Sequence, residues 1–238
     1  LSNKTTEELV SLTGVTNTDR FDVLDAKNIT MTLTERQRVD TLRFAGVSGG
    51  DGDASFFVAR NGSFRDIGVN FNKFTAMKVQ ETEDTIIPKV MHSVLNLSLG
   101  ILTIRQSETL EMNTIIQSRF FLSNTTSAKT ISLDGSVVAS DDEGVTFTIT
   151  LTELQRADAI HLASTSGGDG TPILLDIEAD GFRDRAKNPC VDLFGLTVEE
   201  QPDTILPNIT GANVFLDNGT VIIYFSEYID MTPRSYVN

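Results

Sequence analysis

The sequence predicts an all-β protein of tandem two-sheet sandwiches, each with one short helix in a crossover between its sheets. Three observations predict it: the chain repeats itself with a period near 119 residues, the middle copy holds a segment of strict apolar–polar alternation, and each copy carries one helix-start signal. Self-similarity at a fixed period marks a unit that stacks on copies of itself.

The repeat runs through most of the chain. Residues 30–40 (TMTLTERQRVD) return as residues 148–158 (TITLTELQRAD), an offset of 118. The same offset carries Ser48-Gly-Gly-Asp-Gly52 to Ser166-Gly-Gly-Asp-Gly170, and Phe64-Arg-Asp66 to Phe182-Arg-Asp184. It becomes 119 where Asp84-Thr-Ile-Ile-Pro88 returns as Asp203-Thr-Ile-Leu-Pro207, Ser107-Glu108 as Ser226-Glu227, and Met112 as Met231. Leu1-Ser-Asn-Lys-Thr5 returns as Leu122-Ser-Asn-Thr-Thr126. Proline stops strand pairing and stiffens a join, so the Asp-Thr-Ile-x-Pro segments read as linkers. Residues 84–202 are then expected to form one complete unit, residues 1–83 the later part of a preceding one, and residues 203–238 the opening strands of a following one. Two arrangements explain ends that fall inside a unit. Either the sequence is a window on a longer array, or residues 203–238 of one molecule complete residues 1–83 of its neighbour by strand addition.

Within residues 84–202 the strands are expected at Val90–Asn96, Ile101–Gln106, 119–123, 129–133, 144–151, 173–177 and 196–200, with Gly, Asn, Asp and Ser between them. Residues 144–151 (GVTFTITL) alternate strictly and put Val145, Phe147, Ile149 and Leu151 on one face. Thr152 is an N-cap with Gln155 at the capping-box position, and Thr34 with Gln37 is its twin. Seven strands with a helix after the fifth suit an immunoglobulin-like Greek-key sandwich. Asn61-Gly62 and Asn218-Gly219 read as hairpin turns.

Residues 219–227 (GTVIIYFSE), together with the loops Phe64-Arg-Asp-Ile-Gly-Val-Asn70 and Phe182-Arg-Asp-Arg-Ala-Lys-Asn188, resemble the bacterial Ig-like repeats, of the SbsA type, of S-layer and large surface proteins. The middle copy departs from that pattern with Gln106-Ser-Glu108, and Lys187 and Val69 stand where a glycine is usual. The resemblance implies a cell-surface repeat of a stalk, layer or adhesin, and no active site.

Composition narrows the partners. A net charge of −14 and a pI near 4.5 repel nucleic acid and anionic membranes, and no apolar run approaches the ~20 residues of a membrane helix. The lone Cys190 excludes an internal disulfide, so packing must hold the fold. Seven of 14 asparagines begin N-x-S/T sequons: Asn3, Asn28, Asn61, Asn96, Asn124, Asn208 and Asn218. Roughly three are expected by chance, which points to secretion and N-linked glycans. Asn3 and Asn124 are the strongest candidates, since their sequon recurs at one place in two copies.

No candidate chemistry recurs as a catalytic set. The Ser-Gly-Gly-Asp-Gly loops lack the Lys-Ser/Thr of a phosphate loop. Asp51, Asp53 and Asp169 on these loops, with Asp141-Asp142-Glu143, offer hard oxygen ligands for calcium, although Asp53 becomes Thr171 in the second copy. The Phe-Arg-Asp segments are expected to brace their loops, and Glu108 and Glu227 to accept backbone N–H groups at a turn. His92, His161 and Cys190 do not recur, and no nucleophile, zinc or dinucleotide signature appears. The expected function is structural: an extracellular filament, stalk or surface layer in which the repeats partner one another. The alternative is a calcium-assisted adhesin or glycan-binding module, although a chain with no Trp and three Tyr offers little for sugar stacking.

Overall fold

The computed structural model describes residues 1–2, 10–13, 16–17, 27–140 and 144–231. The first copy supplies β1 (Thr16–Asn17), β2 (Met31–Thr32), α1 (Glu35–Leu42), β3 (Phe56–Ala59) and β4 (Thr75–Lys78). The middle copy supplies β5 (Val90–Asn96), β6 (Ile101–Gln106), β7 (Phe120–Ser123), β8 (Ile131–Ser132), β9 (Val137–Ser140), β10 (Thr146–Thr150), α2 (Glu153–Leu162), β11 (Leu174–Ile177), β12 (Leu193–Thr197) and β13 (Glu199–Gln201). The third supplies the antiparallel pair β14 (Ile209–Phe215) and β15 (Thr220–Phe225). The regular structure of the described residues is thus mostly strand, with two short α-helices.

The middle copy forms two sheets, one of five strands in the order β13-β5-β6-β10-β9 and one of four in the order β12-β11-β7-β8. They share one hydrophobic core. Leu95, Leu102, Ile104, Phe147 and Ile149 from the first sheet and Phe120, Leu122, Leu175 and Ile177 from the second belong to the same buried cluster. Alternation along β10 drives this: Phe147 and Ile149 are buried while Thr146, Thr148 and Thr150 are not. Phe120, Phe147 and Phe182 meet at ring-centroid distances of 6.1–6.5 Å, so the Phe of the Phe-Arg-Asp loop anchors that loop in the core.

The helix lies on the connection from β10 in one sheet to β11 in the other. Its start is fixed by a reciprocal cap, as is that of α1: Gln155 N donates to Thr152 Oγ1 at 3.3 Å and Thr152 N to Gln155 Oε1 at 2.8 Å. The same Gln155 then donates Nε2 to the carbonyls of Ser132 and Asp134, both at 2.8 Å, pinning the turn after β8. Gln37 does likewise to Ser11 and Thr13, so the device repeats.

Some boundaries differ from the sequence expectation. The strand expected over 196–200 is split: β12 ends in the four-stranded sheet, the chain crosses at the buried Val198, and β13 pairs parallel with β5 in the other sheet. β9 escapes the pattern because it is an edge strand with little burial on either face. Arg119 falls in a 3-10 turn, Gln117–Arg119, rather than at the head of β7. Asn218-Gly219 does close the β14–β15 hairpin, with Gly219 at φ +69°. Asn61-Gly62 does not join paired strands. β3 pairs with β4, and the intervening residues make a smaller excursion closed by the Arg65–Phe71 bridge, in which Phe74 N donates to Asn61 Oδ1.

Candidate functional site at the joint between repeats

Both helices carry a Glu-x-x-Arg pair, and in both the arginine reaches out of its own copy. Arg156 Nε and Nη2 donate to the two oxygens of Glu153 at 2.8 Å each, a bidentate fork that one helical turn brings together. Its remaining N–H groups go to Leu97 O at 3.1 Å, to Asp203 Oδ2 at 2.7 Å and to Glu227 Oε2 at 2.9 Å. Asp203 begins the second linker segment and Glu227 follows β15, so one guanidinium ties the helix of the middle copy to two points of the third. Glu153 adds a further tie by accepting Tyr228 N at 3.2 Å.

The first joint repeats the charged groups of this arrangement. Arg38 forks onto Glu35 at 2.8 Å and donates to Asp84 Oδ2 at 2.5 Å and Glu108 Oε2 at 3.2 Å, while Glu35 Oε1 accepts Thr109 N at 2.8 Å. In each linker the aspartate also caps the backbone two residues on, with Ile86 N to Asp84 and Ile205 N to Asp203 at 3.0 Å. An arginine that donates to three carboxylates at each joint, with the linker aspartate among them, ties the end of one copy to the start of the next.

Electrostatics follow from the geometry. The fork with Arg156 holds the Glu153 carboxyl below its ordinary range, and burial pulls against it. At Asp203 burial raises the carboxyl, but the Ile205 N–H and the Arg156 guanidinium together outweigh it and leave it low. Glu108 goes the other way. Burial first, and then the neighbouring Asp184 carboxylate, push it up to about 7 despite Arg38. Asp184 is also raised, chiefly by burial, although Asn188 donates both N and Nδ2 to it at 2.8 Å.

Glu108 and Glu227 therefore do not cap a turn. They accept an arginine from the preceding repeat, because they leave β6 and β15 at the end that faces the preceding helix. The Phe-Arg-Asp loops are braced as expected, by Asn188 on Asp184 and Asn70 on Asp66. The second loop also belongs to the joint: Asn188 Nδ2 donates to Asp84 O at 3.0 Å, and Ser48 Oγ of the first copy donates to Ala186 O at 2.8 Å. A Cβ on Gly49 would lie 2.3 Å from Arg185 O, so the first Ser-Gly-Gly-Asp-Gly loop is glycine-rich partly because the next repeat docks against it.

The other predicted positions are scattered. Asp51 Oδ1 accepts Asp53 N, and Asp169 Oδ1 accepts Thr171 N, so these carboxylates close their own turns in two separate copies. The carboxylates brought together among the described residues are Asp84, Glu108 and Asp184. Asn28, Asn61, Asn208 and Asn218 are exposed. Asn124 Nδ2 donates to Asp169 at 2.5 Å and Asn96 Nδ2 to Gln201 at 2.9 Å, while Asn3 and Asp141-Asp142-Glu143 lie outside the described residues. Cys190 is buried, its thiol pushed up by that burial.

No protein-family model and no curated protein matches the chain. Among solved structures, the chain is similar to the N-terminal part of the bacterial S-layer protein SbsC, with a TM-score of 0.34 and 16% identity over 58% of this chain and 31% of that one. It is similar at a TM-score of 0.33 to two further structures of the same protein, residues 31–844 and domains 1–6, covering 19% of each. The chain thus spans under a third of the structures it matches.

Proposed function

We propose that this chain is a stretch of an extracellular structural array, in which immunoglobulin-like Greek-key units of about 119 residues are joined end to end into a filament, stalk or surface layer. Residues 84–202 are one such unit, and residues 1–83 and 203–238 are parts of two others. The observation that carries this reading is the arginine clasp, made from the same residue types at both joints, with spacings that differ by a single residue. A clasp that recurs with the sequence period sets one geometry between successive units.

The unpaired ends support the same reading. Leu95, Leu97, Leu102 and Ile104 of the β5–β6 hairpin are 0% exposed, whereas their counterparts Val214, Leu216, Val221 and Ile223 on β14–β15 are 59, 90, 57 and 48% exposed. At the other end Leu33 and Val79 are only half-buried against a cavity of about 530 Å³, whereas their counterparts Leu151 and Val198 are buried in the middle core. The exposed hairpin face and the open cavity are the two halves of one unit. Burying each large apolar side chain is worth roughly 1.5–3 kcal/mol, so four or five of them favour completion by further repeat sequence. Glycans on the exposed Asn28, Asn61, Asn208 and Asn218, and on Asn124, would keep such an array soluble and its edges separate.

Sedimentation of the 238-residue chain tests this. The wild type associates head to tail into species whose mass rises with concentration, and Ile223→Asp, which places a charge on the hairpin face, holds it as a monomer with an unchanged melt of the middle unit. Wild-type chains that remain monomeric at high concentration contradict the reading.

A further inference from the structure

The joint holds more negative charge than its arginine can pair. Four carboxylates, Glu35, Asp84, Glu108 and Asp184, surround the single Arg38 guanidinium, whose donors go to the first three. One oxygen each from Asp84, Glu108 and Asp184 lie within 4.8 Å of one another. These groups come from three separate elements: the linker, the segment after β6 and the Phe-Arg-Asp loop. Asp184 is 1% exposed and Glu108 6%.

A second observation points into this cluster. Glu108 Oε1 is buried with no hydrogen-bond partner, and Glu227 Oε1, its counterpart at the second joint, is too. An unpaired carboxylate oxygen in a nine-tenths buried side chain is costly unless a cation or donor meets it. Every candidate ligand here is a carboxylate oxygen, and none is a thiolate or imidazole, which disfavours zinc and suits a hard cation. Separate, loop-borne carboxylates fit the larger, irregular shell of calcium better than the strict octahedron of magnesium.

We infer that Asp84, Glu108 and Asp184 form a calcium site at the joint, seated beside the Arg38 clasp and binding the linker to two loops of the following repeat. The site is distinct from the Asp51, Asp53 and Asp169 turns, and it stands whether or not the units assemble into a thread. Calcium would add a second lock to the joint and neutralise the carboxylates that the arginine leaves unpaired.

Calorimetric titration and thermal melts of the full 238-residue chain test it, in chelator, in calcium and in magnesium. The wild type is expected to bind calcium saturably, to gain several degrees in melting temperature, and to respond less to magnesium. Glu108→Gln and Asp184→Asn each weaken calcium binding by about tenfold or more, as loss of a charged ligand does, whereas Asp169→Asn binds as the wild type does. Circular dichroism in chelator establishes that the variants fold, and Glu108→Gln, which keeps its hydrogen bond to Arg38, serves if Asp184→Asn loosens its loop. No calcium response in the wild type at millimolar concentration, or a full response in both Glu108→Gln and Asp184→Asn, overturns the site.

Discussion

Arg156 and Glu227 are 71 residues apart in sequence, and their side chains meet at 2.9 Å across the joint between two repeats. The arginine is nearly enclosed, with 8% of its side chain exposed, and all its N–H groups are matched to acceptors. It also lies along Gly100, where an added Cβ would come within 3.2 Å of Arg156 Cδ. Removing it leaves the half-buried Asp203 and Glu227 without a counter-charge.

Arg156→Ala is therefore expected to cost about 3–5 kcal/mol, the usual penalty for breaking a buried ion pair from one side. Arg38→Ala should cost less, since 32% of the Arg38 side chain is exposed. Arg156→Lys should recover little, because an ammonium cannot fork onto Glu153 while reaching Asp203 and Glu227. Chemical denaturation of the three variants, followed by circular dichroism, checks the order.

The clasp at the second joint should fail in acid. Glu153 and Asp203 have folded-state pKa values below their ordinary 4.5 and 3.8, so each contributes stability above those values that is lost as pH falls through the lowered ones. The difference in melting temperature between wild type and Arg156→Ala is expected to be constant at neutral pH and to shrink as pH falls below the ordinary carboxylate range. A difference that persists undiminished in acid would assign the arginine's effect to packing rather than charge.

Gly49 and Gly52 separate docking from backbone strain. Both have φ +91°, but a Cβ at Gly49 would meet Arg185 O at 2.3 Å, and at Gly52 nothing lies within 4 Å. Alanine at either position bears a left-handed penalty of about 1–2 kcal/mol. Only Gly49→Ala should also open the joint, which limited proteolysis across residues 84–89 detects as faster cleavage.

Much of this was legible in the sequence, because local rules decided it. The capping boxes at Thr34 and Thr152, the buried face of β10 and the Asn188–Asp184 brace depend on residues within a few positions of one another. β12 and β13 are not separable in the sequence, since Leu196-Thr-Val-Glu-Glu200 carries no Gly, Pro or Asn to mark where the chain changes sheets. The clasp was hidden for another reason: Arg38 meets Glu108 across 70 residues, a distance no local pattern spans. A signal was nevertheless present. Glu35, Arg38, Asp84 and Glu108 all recur one period later as Glu153, Arg156, Asp203 and Glu227, whereas His92, His161 and Cys190 do not. Charges kept in register with the repeat mark the joint.

In the proposed array, successive units are held end to end in one fixed geometry. Electron microscopy of the native assembly tests it most directly. Unbranched threads of constant width are expected, with one bead for each 119-residue unit, the separation of Asp84 from Asp203 in sequence. Isolated compact particles, or threads whose successive beads take every relative orientation, would contradict it.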